Sequence, residues 1–344
     1  MGARTRGENR MVEKTKKLVW VTGASEVDGD EYLNCFLSLC TVRSKKVKII
    51  YPGKMLFDAP GIPLDENNVL NAPDDHLKPK MKWVFDRIAE KLAEFFEKCD
   101  AVIIKTHRLF KWNNVYRLAH AYENVMRFNP NLMITFVDGI TPILNRLGIS
   151  EQFRYQGYIK KDICDWQDLE VKLTKEWAEA IKKPHFVVPS GESPELLYNL
   201  VFNPKAELTY VAIDITRSSS KLKKRVGDFV KELRKYYPCL INPFTVPLDS
   251  KNRTDEEDSH IIAMCLDWFV PQARNVVGYY PAAIQTSEGK THEIGKAHVL
   301  TKNVWVVHVP NLDESSPFIK GFKTAPIFRT EEEFFEFLRE RQKK

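Results

Sequence analysis

The chain has 344 residues, with 52 Lys and Arg against 46 Asp and Glu and a formal charge of +6. That length exceeds one comfortable core and sets two domains as the prior. The mild, well-mixed charge permits a phosphorylated ligand but lacks the concentrated basic face of a nucleic-acid binder. The six cysteines, Cys35, Cys40, Cys99, Cys164, Cys239 and Cys265, form no Cys-x-x-Cys pair. No His completes a zinc pattern, so neither a metal nor another cofactor is expected, and free thiols fit a reducing cytosol. No apolar run is long enough to span a bilayer, and Met1 to Lys17 has no apolar core of a signal peptide. The expected location is cytoplasmic, with no membrane partner, and residues 1–16 read as a disordered basic tail.

Strand and helix signals then alternate. Lys17–Thr22, Lys46–Tyr51, Ala101–Lys105, Leu132–Val137 and His185–Val188 are apolar, β-branched runs. Met81, Val84, Phe85, Ile88, Leu92, Phe95 and Phe96 trace one helical face. Trp112–Met126 and Leu169–Ile181 read as further helices, and Ala59–Pro79 as a loop-rich stretch. This alternation predicts an α/β domain over 17–203, with a mostly parallel sheet and right-handed crossovers.

Asn203-Pro204-Lys205 is the predicted joint, and the pattern restarts over 204–344. Strands are expected at Tyr210–Ile213, Cys239–Ile241, Asn275–Tyr280 and Val304–Val309. Leu222, Val226, Phe229, Val230 and Leu233 give a helical face. Ile261–Phe269 and Glu293–Leu300 read as helices. Thr330 and Glu333 form a capping box ahead of a closing helix.

The turn after the first strand reads Thr22-Gly23-Ala24-Ser25-Glu26-Val27-Asp28-Gly29-Asp30. A phosphate loop needs Gly-x-x-x-x-Gly-Lys followed by Ser or Thr, because its amides cradle phosphate, the Lys neutralises it and the hydroxyl binds magnesium. Gly23 holds the first place, but Asp28, Gly29 and Asp30 stand at the second Gly, the Lys and the hydroxyl. The first domain therefore resembles a P-loop kinase or ATPase fold with a degenerate loop. Carboxylates there repel a triphosphate, so ordinary ATP hydrolysis is not expected.

A second constellation follows the Asn275–Tyr280 strand: Ser287-Glu288-Gly289-Lys290-Thr291-His292-Glu293-Ile294-Gly295-Lys296-Ala297. With the strand Val276-Val277-Gly278-Tyr279-Tyr280 before it and Val304-Trp305-Val306-Val307 after it, this stretch resembles the nucleoside 2-deoxyribosyltransferase family. It is nearest the nucleotide N-glycoside hydrolase members, whose core is Ser-x-Gly-x-x-x-Glu-apolar-Gly-x-Ala. The resemblance spans roughly Thr209 to Leu338. It implies a flavodoxin-like domain in which Glu293, near the first turn of its helix, attacks C1′ of the sugar and forms a covalent glycosyl intermediate. A helix start favours the ionised carboxylate. Ser287, the Gly289 amides and Lys290 would hold the 5′ end of the ligand, preferably as a phosphate, with Tyr280 at the end of the adjoining strand. Gly295 and Ala297 would let the helix pack closely on the sheet.

The sequence also departs from that pattern. Ile213 stands where the family has a Gly that admits the nucleotide. Cys265 stands where it has a catalytic Asp. Asp267 lies two residues on and needs a shifted helix to serve, and Asp214, ending the first strand, is the other candidate acid. The expected function is cleavage or transfer of the N-glycosidic bond of a nucleoside or nucleoside 5′-monophosphate. The alternatives are a non-catalytic nucleotide-binding sensor or partner subunit and, third, a nucleotide kinase. The sequence leaves the base, the sugar and the oligomeric state open, a homo-oligomer included.

Overall fold

The computed structural model describes residues 16–66, 68–214, 220–248, 253–281, 288–308 and 325–343. Almost all of the expected tail and Ser287 lie outside them. The fold is α/β, with two five-stranded parallel sheets and one antiparallel hairpin.

The first sheet holds β1 (Lys17–Gly23), β2 (Val47–Ile50), β3 (Ala101–Lys105), β6 (Leu132–Val137) and β7 (His185–Pro189), in the order β2-β3-β1-β6-β7. Its central strands are apolar at nearly every position because both faces are covered; β6 is buried throughout. The chain leaves β1 and β3 in opposite directions across the sheet. Their carboxyl ends, at Gly23 and Lys105, therefore flank the crevice where open α/β sheets place ligands.

The stretch read as a helix from Trp112 begins instead as a hairpin of β4 (Leu109–Trp112) and β5 (Val115–Leu118). Asn113 and Asn114 both have positive φ, 48° and 62°, the pairing that a two-residue hairpin turn requires. Helix resumes only over Tyr122–Phe128. The expected loop also ends early, since the helix carrying Met81 and Phe85 runs from Asp74 to Lys98 with Pro79 inside it.

The second sheet holds β8 (Thr209–Ala212), β9 (Leu240–Ile241), β10 (Asn275–Tyr280), β11 (Asn303–His308) and β12 (Ile327–Phe328), in the order β12-β11-β10-β8-β9. Counted within the sheet this is 2-1-3-4-5, the doubly wound order whose ligand crevice lies between the first and third strands, here β8 and β10. The closing helix, Glu331–Lys343, is capped as expected on one side: the Glu333 amide donates to the Thr330 hydroxyl at 3.1 Å.

A single buried apolar cluster runs through both halves, from Val19 and Phe36 to Tyr210, Cys265 and Val306. Two glycines record how closely the halves pack. A Cβ on Gly139, just after β6, would stand 2.1 Å from the Pro247 carbonyl oxygen, and one on Gly191, just after β7, 2.3 Å from that of Thr245. Between them Glu192, with its side chain wholly buried, pairs with Arg234 and accepts from the Asn242 amide at 2.8 Å. A boundary at residue 203 separating two independent domains remains a proposal.

Candidate functional site

Glu293 is the sixth residue of the helix Glu288–Val299, not a first-turn residue. That position carries it beneath the sheet, where it is 4% exposed. The Tyr210 hydroxyl, on the same face of β8 as Ala212, donates to Glu293 Oε1 at 3.1 Å. Oε2 is buried and has no hydrogen-bond partner among the described residues. Burial, rather than a helix-start dipole, acts most strongly on the carboxyl and pushes Glu293 up to about 8. The Cys265 thiol, the Tyr210 hydroxyl and the Lys290 ammonium all pull in the other direction, favouring the anion.

Lys290 lies one turn before Glu293 on the same helix and is 7% exposed. Its ammonium sits 4.0 Å from the centre of the Tyr280 ring, a cation–π contact. Burial brings it down to about 8, while Asp214 and Glu293 favour its charge. So enclosed, it presents that charge to the two carboxyl groups rather than to solvent. Asp214 is half-buried just past the end of β8 and acts electrostatically on both Lys290 and Glu293. Glu293, Lys290, Tyr280 and Asp214 are therefore brought together at the β8–β10 crevice. Tyr210 joins them unforeseen; its only sequence signal was an aromatic residue in a buried strand.

Other expected residues fall elsewhere. Met264–Phe269 is a π-helical stretch, and its i→i+5 bonding widens the turn. It buries Cys265 against Glu293 but leaves the Asp267 side chain 65% exposed, 3.7 Å from Lys296. The shift that Asp267 needed to serve as the acid thus goes the wrong way. Ile213 belongs to the opposite face of the sheet, in a core with Val226, Phe229 and Trp305. Gly289 is exposed on the first turn. Gly295 has nothing within 4 Å of a Cβ placed on it, so it is not what seats the helix. That closeness comes from Gly278 on β10, where a Cβ would stand 2.5 Å from Ile294 Cδ1.

At the first sheet, Gly23 ends β1 and Gly29 opens the helix Gly29–Val42. The Asp30 carboxylate is ion-paired with Lys105 at the end of β3. The Gly23 amide donates to Glu170 Oε1 at 3.1 Å, and the Arg108 and Leu109 amides donate to the same carboxyl at 2.7 and 3.2 Å. Burial nonetheless pushes Glu170 up to about 8. The loop borders a cavity of about 240 Å3 that also meets His107 and Phe136. Its cation, Lys105, comes from a neighbouring strand and is already held by Asp30. Asp28 precedes the helix and makes no side-chain capping bond.

Among the described residues, no three His, Cys, Asp or Glu side chains gather as a metal site requires, and no helix is long and apolar enough to cross a membrane. The chain matches no protein-family model and no curated protein. Among solved structures it is similar to Clostridium botulinum CMP N-glycosidase, BcmB, at 14% identity and a TM-score of 0.26, over 39% of this chain and 98% of that one. A likeness of that size carries no inference about activity.

Proposed function

We propose that this chain binds a nucleoside or nucleoside 5′-monophosphate at the β8–β10 crevice and cleaves or transfers its N-glycosidic bond through Glu293. The observation that carries this reading is the state of the Glu293 carboxyl: buried, held through one oxygen by Tyr210, and with the other oxygen unpartnered among the described residues. A buried carboxyl with a strongly perturbed pKa in a crevice marks a candidate functional group, and its ionised form, which Cys265, Tyr210 and Lys290 favour, is the proposed nucleophile. The Ser287-x-Gly289-x-x-x-Glu293-Ile294-Gly295-x-Ala297 pattern supports the same reading.

In the proposed reaction Oε2 of ionised Glu293 attacks C1′ and the bond from C1′ to the base nitrogen breaks. The bonding pair leaves with the base, which takes up a proton. Water or a second base then attacks C1′ and frees Glu293. Tyr210 fixes the carboxyl plane, and Lys290 favours its ionised form. Asp214 is the proposed acid for the departing base.

A second reading, a non-catalytic nucleotide-binding subunit, is favoured by one observation: Cys265 rather than an acid lies against Glu293, and Asp267 faces outward. A kinase reading draws no support from the first sheet, where Asp30 already occupies Lys105. Incubation with a panel of nucleosides and 5′-monophosphates, followed by peptide mass spectrometry, separates the two. A glycosyl adduct on Glu293 supports catalysis. A thermal shift with neither adduct nor freed base supports the binding subunit.

A further inference from the structure

A large cavity lies in the first half, far from Glu293 in the chain and on different elements. It measures about 840 Å3, within the roughly 300–1,000 Å3 typical of small-molecule sites. The helix Asp74–Lys98 forms one wall, the β4–β5 hairpin another, and the helix Tyr122–Phe128 a third. Val69, Leu70, Leu77, Met81 and Leu118 give it an aliphatic lining.

Its charges are unevenly shared. Lys78 and Arg117 both hold Asp74, at 3.3 and 2.9 Å, and Lys82 and Arg127 both hold Asp86. Glu123 is the third carboxylate on the wall. Four cations thus border an aliphatic cavity with three carboxylates, and two of those carboxylates are each split between two cations. His120 adds no charge, since burial among aromatic rings brings it down to about 3. Its Nε2 has no hydrogen-bond partner among the described residues.

We infer that this cavity is a binding site for a single-chain amphipathic anion, its aliphatic body against Leu77 and Met81 and its carboxylate or phosphate head at the Lys and Arg rim. The body gains by leaving water, and the head meets Lys78, Lys82 and Arg127, since Arg117 is already held by the Leu70 and Ala72 carbonyls as well as by Asp74. The site is independent of the glycosidic reading, because no residue is common to the two.

Calorimetry on the full chain tests this, with dodecanoate, dodecyl phosphate, dodecanol and dodecyltrimethylammonium, each below its micelle concentration. The expected result is one anion per chain, bound at least about tenfold more tightly than the cationic amphiphile. Whichever anion binds more tightly identifies the head group. Leu118 is 66% exposed and lines the cavity, so Leu118→Asp places a carboxylate at the mouth without disturbing the core. It should weaken the anion at least about fivefold and leave dodecanol within about twofold. Met81→Trp, which narrows the cavity where the aliphatic body is placed, should weaken all of the amphiphiles. No saturable binding of either anion, equal binding of the cation, or an unchanged anion affinity in Leu118→Asp would overturn the assignment.

Discussion

The Tyr210 hydroxyl donates to Glu293 Oε1 at 3.1 Å across the gap between β8 and the helix Glu288–Val299. The bond ties the proposed nucleophile to the central region of a parallel sheet rather than to a loop, which is how a reacting group is held in one orientation. It leaves the second carboxyl oxygen buried and without a hydrogen-bond partner among the described residues.

Tyr210→Phe removes that donor and keeps the ring, which packs 6.1 Å from the Phe269 ring. A buried hydrogen bond to a charged group contributes about 1.5–3 kcal/mol. The rate of base release should therefore fall roughly ten- to a hundredfold, and the unsatisfied Glu293 oxygen should also lower the unfolding temperature. An unchanged rate would show that Tyr210 does not orient Glu293.

The raised carboxyl has a signature in stability against pH. Unfolded Glu293 releases its proton near 4.5, whereas folded Glu293 keeps it to about 8. Between those values the folded state binds more protons, so this group lowers stability as pH rises, at up to about 1.4 kcal/mol per unit. Glu170 contributes a slope of the same sign over the same range, so the informative quantity is wild type minus Glu293→Gln. Denaturant unfolding between pH 5 and 8 should show the variant gaining on wild type steadily. A constant difference would mean that Glu293 titrates at its ordinary value.

The strands were legible because burial on both faces makes their sequences apolar without interruption, as in Leu132–Val137. The site was legible only along the chain. Glu293, Lys290, Tyr280 and Asp214 share one crevice, and each lies on or beside an element recognisable from its pattern. Tyr210, Lys105 and Glu170 were not legible, because they reach their partners through the order of the strands. Asn113-Asn114 hid a hairpin within what reads as a helix. The π-helical stretch decided that Cys265 faces inward and Asp267 outward, and no periodicity announces such a widened turn.

Two glycines distinguish close packing from mere pattern. Gly278→Ala sets a Cβ against buried Ile294 and should destabilise by about 1–3 kcal/mol. Gly295→Ala meets open space in a helix interior and should stabilise by up to about 1 kcal/mol. Chemical denaturation gives both values. A larger loss at Gly295 than at Gly278 would contradict the packing described.

The pair between Glu192 and Arg234 is asymmetric: the Glu192 side chain is wholly buried while that of Arg234 is 24% exposed. Arg234→Met strands a buried carboxylate and should cost about 3–5 kcal/mol. Glu192→Gln keeps an amide-oxygen acceptor for Arg234 or the Asn242 amide and leaves no buried anion, so it should cost less. Equal losses, or none, would mean that this contact does not fasten the two halves.

The central claim is tested most directly by chromatography of the free base after incubation with a panel of nucleosides and 5′-monophosphates. The wild type should release base from at least one of them, and Glu293→Gln should abolish that release while still binding the same compound. Glu293→Gln turning over at the wild-type rate would contradict the proposed role of Glu293, and a wild type that binds a nucleotide yet frees no base would contradict the proposed reaction.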